Sequence, residues 1–249
     1  MKQTCKRPLT QTMVNVNNAL WRQTQAMVNN ALWWHHQWLQ GGLRGRQANF
    51  TGLPLIGLDL HNKDLRGISF KESLIRDCTF SGSNLDACTF EGAILLRNVF
   101  CGAWIRSVSF VKAQLTGNDF ALAVMDKADF TGAVGQAEHF LMAKLCSTSW
   151  RKAHFPGAIL DSANLENSDL GCAFFPGGSF KQANLTRCDL GKTFLVRADL
   201  TGASLAGTFF KETDLRWAKL NQIELTSVEF NNSNLFGCEM EGMTYGTAK

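Results

Sequence analysis

Residues 78–110 read CTFSGSNLDACTFEGAILLRNVFCGAWIRSVSF, and in them Phe80, Leu85, Phe90, Leu95, Phe100, Ile105 and Phe110 recur at steps of five. A step of five matches neither the 3.6-residue period of a helix nor the two-residue period of a strand. The chain must therefore turn at regular intervals to return every fifth side chain to one core.

Outward from this stretch the pattern holds for most of the protein. From Phe50 to Tyr245 every fifth residue is Leu, Phe, Ile, Met, Trp or Tyr, with Gly135 the exception, and no insertion breaks the register. Two residues before each large centre stands mostly a small one, as at Ala48, Cys78, Ser83, Cys88, Ala93 and Ala103. The residue just before the centre is often Asn or Asp, giving ANF, SNL, ADF, ANL and ADL. Short polar side chains there suit hydrogen bonds to turn backbone, which explains them without catalysis.

The A(N/D)LXX pattern resembles the pentapeptide repeat family over roughly residues 46–246. The resemblance implies an all-β solenoid, a right-handed quadrilateral β-helix with one pentapeptide per side, twenty residues per coil and about ten coils. At a strand spacing of about 4.8 Å such a rod is roughly 45 Å long. Sorting centres by this coil gives two facing phenylalanine rows, at 50, 70, 90, 110 and 130 and at 80, 100, 120 and 140, between nearly all-leucine rows into which Phe155 and Phe175 bring aromatic rings.

Residues flanking each centre should face solvent, so large apolar ones there need a reason. The face centred on Leu55, Ile75 and Leu95 carries nine of them: Ile56, Leu74, Ile94, Leu96, Val134, Phe174, Phe194, Val196 and Phe236. The other faces carry two, three and two. This stripe is a candidate interaction surface.

Two differently built regions are expected, residues 1–47 as a basic, Trp-rich helical extension and 48–246 as the β-helix. Residues 1–47 hold Lys2, Lys6, Arg7, Arg22, Arg44 and Arg46 with no Asp or Glu, whereas the remainder has 19 basic and 21 acidic residues. Between 12 and 39, Met13, Leu20, Met27 and Trp34 recur at sevenfold spacing, with Trp21, Ala31 and Trp38 alongside, which predicts an amphipathic docking helix ended by Gly41 and Gly42. Laid lengthwise, the helix would place Met27, Ala31, Trp34 and Trp38 on Leu74, Ile94, Phe174 or Phe194. Trp33 would then stay free for an outside contact.

No reactive constellation stands out. His35, His36, His61, His139 and His154 are not spaced as a metal site, and DLGKT at 189–193 lacks the earlier glycine of a phosphate loop because Thr186 stands there. Neither a cofactor nor a metal is expected. The eight cysteines are read as reduced, small core residues, and the chain as soluble and cytoplasmic, with secretion as an effector or organelle import left open. The function expected is a non-catalytic protein–protein interaction scaffold or assembly subunit. The family resemblance also implies an alternative, DNA-mimic binding and protection of gyrase. A further alternative is a secreted effector or membrane-surface subunit attached through residues 12–39. Direct nucleic-acid binding is disfavoured, because six positive charges on one short segment give only non-specific affinity.

Overall fold

The computed structural model describes residues 18–225 and 227–244. Its elements are one helix, α1 (Asn18–Leu39), and five three-residue strands, β1 (Pro54–Ile56), β2 (Leu74–Arg76), β3 (Ile94–Leu96), β4 (Gln114–Thr116) and β5 (Val134–Gln136). The strands form one parallel sheet in chain order, each paired with the residue twenty positions on: Leu55 with Ile75, Ile75 with Leu95, Leu95 with Leu115. The solenoid expected from the sequence is the fold. Extended strands are confined to these five coils of one face. Elsewhere the twenty-residue step continues as single bridges, as in Asn49–Ser69–Thr89–Ser109 and Phe174–Phe194–Asp214.

Each coil is tied to the next by a repeating bond set. The N–H of a centre donates to the carbonyl nineteen residues on, as from Phe90 to Ser109 and from Phe110 to Asp129, both at 2.7 Å. The corners are left-handed turns two residues past each centre. Gly92 and Gly102 adopt φ of 64° and 63° there, and non-glycine residues such as Asp77 (φ 56°) and Leu122 (φ 60°) take the same shape. The Asn or Asp before a centre accepts the N–H two residues on, Asp129 from Thr131 at 2.8 Å and Asn184 from Thr186 at 3.0 Å. DLGKT is one such corner, with Gly191 N–H donating to Asp189 at 2.8 Å.

The core is the pair of aromatic rows. Phe70, Phe90, Phe110 and Phe130 stack with centroids 4.8–5.1 Å apart, as do Phe80, Phe100, Phe120 and Phe140 at 4.7–5.1 Å. Across the core the rows meet edge to face, Phe110 against Phe120 at 5.9 Å. Both geometries suit the ring quadrupole, stacking along the rod and T-shaped contact across it. The break at Gly135 is filled from the next coil. A Cβ at 135 would lie 2.2 Å from Phe155 Cε1, so the Phe155 ring occupies the place of the missing side chain.

α1 does not run along the stripe; it closes the first coil. Val28 and His35 are fully buried, Ala31 and Leu32 pack against the core, and these four share one face of the helix. His35 Nδ1 accepts the N–H of Ala48 at 3.2 Å, and Arg46 N–H donates to the Trp34 carbonyl at 3.1 Å. Gly41, at φ 71°, and Gly42 then end the helix, their N–H groups donating to Trp38 and Gln37 carbonyls. The first-coil centres Phe50, Leu55, Leu60 and Leu65 are consequently as buried as those in mid-rod. In the last coil, by contrast, Phe230 and Leu235 are only half-buried and Met240 is exposed.

Candidate interaction surfaces

The strands β1–β5 are the stripe face itself. Of the nine stripe residues, Ile56, Leu74, Leu96, Phe174, Phe194 and Val196 are half-buried, and Ile94, Val134 and Phe236 are exposed. The half-buried ones owe their shelter to the rungs above and below. His154, Phe174 and Phe194 form a stacked column with centroids 4.4 and 4.6 Å apart. The structure places no helix over this face: Met27 (48% exposed) and Trp38 (41%) do not meet Leu74, Ile94, Phe174 or Phe194, as the spacing had suggested. The reason is geometric. The open end of a solenoid exposes whole core centres, and covering Phe50, Leu55 and Leu65 removes more apolar surface from water than shielding half-covered stripe residues.

Of the helix residues, Ala31 and Trp34 are half-buried, whereas Trp33 is exposed and meets Trp34 edge-on at 4.5 Å. Leu20 and Trp21 lie within α1, and Met13 lies outside the described residues.

A second apolar patch combines two centre-flanking residues of other faces, Trp104 and Leu141, with two corner residues, Leu122 and Met142. Trp104, Leu122, Leu141 and Met142 are all exposed, and Trp104 is bridged to the neighbouring rung at Val124 while the Arg106 guanidinium lies 4.9 Å over its ring. Leu122 and Met142 stand at the left-handed corner, where fourteen other described corners use glycine. A large apolar side chain at a corner favouring glycine was the available signal.

The basic side chains are mostly neutralised in place. Arg97 grips Asp77 with two bonds of 2.8 Å, Lys71 meets Glu91 at 2.7 Å, and Arg66, Arg151 and Arg216 pair with Asp64, Asp169 and Asp214 at 2.7, 2.9 and 2.7 Å. Several of these join residues twenty apart, so they stitch coils as well as cancel charge.

Inside, several polar residues in the small slot before a centre donate to the carbonyl twenty-three residues back. Cys88 and Cys188 donate to Leu65 and Leu165 at 3.0 Å, and Thr193 donates to Leu170 at 2.8 Å. Burial pushes the Cys78 and Cys188 thiols up to about 12 and raises Cys88 as well, so these are inert core thiols. Cys101 departs from the all-reduced expectation, being disulfide-bonded.

In three successive coils of one face the slot is not small. Asn98, Asn118 and Glu138 form a buried ladder in which Asn98 Nδ2 donates to Asn118 Oδ1 at 3.0 Å and Asn118 N–H to Glu138 Oε2 at 3.2 Å. Asn98 and Asn118 also donate to the Ile75 and Leu95 carbonyls at 2.9 and 3.0 Å. Burial raises the Glu138 carboxyl to about 8 against the pull of its Asn118 donors, so it is largely neutral at pH 7.

Three of the five histidines are engaged separately. His61 Nδ1 lies 2.6 Å from Asp59, His154 stacks on Phe174 and His35 caps Ala48. Among the described residues no group of three His, Cys, Asp or Glu is gathered as a metal site would require. No described helix is long and apolar enough to cross a membrane.

Comparison with known proteins agrees with this geometry. No curated protein matches the chain. Among solved structures it is similar to HetL, a pentapeptide repeat protein involved in heterocyst differentiation regulation from the cyanobacterium Nostoc sp. strain PCC 7120, at 22% identity over 84% of this chain and 93% of that one, with a TM-score of 0.63. It is also similar to QnrB1, a plasmid-mediated fluoroquinolone resistance protein, at 18% identity over 80% and 92% of the two chains, with a TM-score of 0.38. The family described as Pentapeptide repeats matches in 8 copies, over residues 54–92, 143–171 and 179–216. The twenty-residue step runs on through the segments between these matches, so the repeat region resembles the pentapeptide repeat family beyond the matched residues as well.

Proposed function

We propose that the protein is a non-catalytic interaction scaffold whose working surface is the stripe face. The observation that carries this reading is the parallel sheet β1–β5, continued by the Phe174–Phe194 stack, which leaves Ile94, Val134 and Phe236 exposed along one side of the rod. Apolar residues aligned along one rigid face in this way mark a protein-binding surface. The paired arginines weigh against mimicry of DNA, which needs a continuous negative surface. A gyrase supercoiling assay that shows no effect of the protein is the expected result.

The direct test places a photo-crosslinking amino acid at Phe174 on the stripe face and, as a control, at Asn164 on another. The expected result is a discrete adduct from position 174 only. That adduct should fall at least tenfold in a Val134→Lys/Phe194→Glu variant of unchanged melting temperature. Equal adducts from both faces, or adducts insensitive to the variant, would overturn the assignment.

A further inference from the structure

Each centre of the stripe face, from Leu55 to Leu235, has one residue before it and one after it, and all twenty of these flanking residues are half-buried or exposed. Only Arg76, Asp214 and Arg216 among them are Asp, Glu, Lys or Arg, whereas each of the other three faces carries eight such residues at the same slots. Depletion of charge where apolar residues stay exposed is the composition of an interface core. What remains is to say which surface fits it.

We infer that the occupant of this face is a second copy of the chain, packed parallel and rung against rung about a two-fold axis running along the rods. Such an axis sets the residue before each centre opposite the residue after the same centre in the other copy. Ile94 then meets Leu96, Gln114 meets Thr116, Phe174 meets Pro176 and Phe194 meets Val196. One rung pairs opposite charges, Asp214 with Arg216, and the symmetry makes that contact twice. Within one chain Arg216 already donates to Asp214 at 2.7–3.1 Å, so the two pairs together close a square of alternating sign. Arg76 lies opposite Leu74 and keeps Asp77 of its own chain, 3.5 Å away. No flanking charge faces a like one. An antiparallel copy overlapped along its full length does worse, setting Arg76 against Arg216 and Asp214 against Leu74.

The size of the face sets the strength. Ten rungs at about 4.8 Å, each three residues wide at about 3.3 Å, give a footprint of about 450 Å² per copy, below the roughly 800 Å² of a stable interface. The pairing is therefore weak and reversible.

This inference rests on the stripe being the working surface and names what covers it. Sedimentation of the full purified chain up to about 0.5 mM should show a monomer–dimer equilibrium. Val134→Lys should weaken it at least tenfold, with an unchanged melting curve. Asp214→Arg should weaken it at least fivefold, and adding Arg216→Asp should restore it. Both variants lack the Asp214 corner bond to the Arg216 N–H, so recovery in the second cannot come from folding. In the purified protein a photo-crosslinker at position 174 should join the peptide around Pro176 of the second copy, whereas an antiparallel pair would yield the peptide around Gln114. A strictly monomeric chain, a dimer that Val134→Lys leaves intact, or a crosslink near 114 would overturn the inference. A monomer whose position 174 joins a different protein would defeat this inference alone, and the absence of any face-specific adduct from 174 would defeat the stripe reading with it.

Discussion

Glu138 shows how one residue can carry a pH dependence for a whole rod. Its raised carboxyl value means that the protonated form belongs to the fold. The contribution is complete below its ordinary value of 4.5 and is lost as pH rises towards about 8. Chemical denaturation of wild type and Glu138→Gln between pH 5 and 9 should therefore show the wild type losing stability relative to the variant as pH rises. Equal slopes would mean that the carboxyl is already ionised in the fold. Gly135 and Phe155 form a second single-residue device. Gly135→Leu should cost about 1–3 kcal/mol by overpacking against the Phe155 ring, and pairing it with Phe155→Leu should recover more than half of that, measured as a coupling in a double-mutant cycle. Both devices left marks in the sequence. Gly135 broke the row of centres, Phe155 broke a leucine row, and Asn98, Asn118 and Glu138 broke the small-slot rule in consecutive coils.

At the scale of elements, the helix and the sheet were unequally legible. The repeat could be read because each coil restates the same demand, a large centre, a small slot and a polar corner, so forty chances average out local exceptions. The existence of α1 could be read from its heptad, and its end from two glycines. Its seat could not, because the packing line runs through His35, a polar residue that gives no apolar signal, while the obvious tryptophans lie to one side. His35 also makes the cap responsive to acid. Burial lowers its pKa despite the opposing pull of Asp64 and the Arg66 backbone, so the neutral ring belongs to the fold. That contribution is present above about 6.5 and is lost as pH falls below it. His35→Gln should flatten the acid limb of the stability curve between pH 7 and 5, whereas His35→Ala should cost about 1–3 kcal/mol by leaving the Ala48 N–H without its acceptor.

Among the described residues the stack has unlike ends, the first coil covered by α1 and the centres Phe230, Leu235 and Met240 left half-buried or exposed. In a stack where each coil touches only its neighbours, opening starts where a coil has one neighbour instead of two. Amide hydrogen exchange should therefore run as a gradient, fastest in residues 227–244 and slow from the first coil through mid-rod. A symmetric profile, with residues 48–66 exchanging as fast as the last coil, would show that α1 does not seal its end. The uniform twenty-residue step also has a mechanical meaning. A rod pulled at its two ends would not give way at once: each coil peeled from the open end releases about 66–72 Å of extended chain for about 4.8 Å of rod, so the protein would pay out under load as a ratchet of near-equal clicks, a tether whose length records how hard it was pulled.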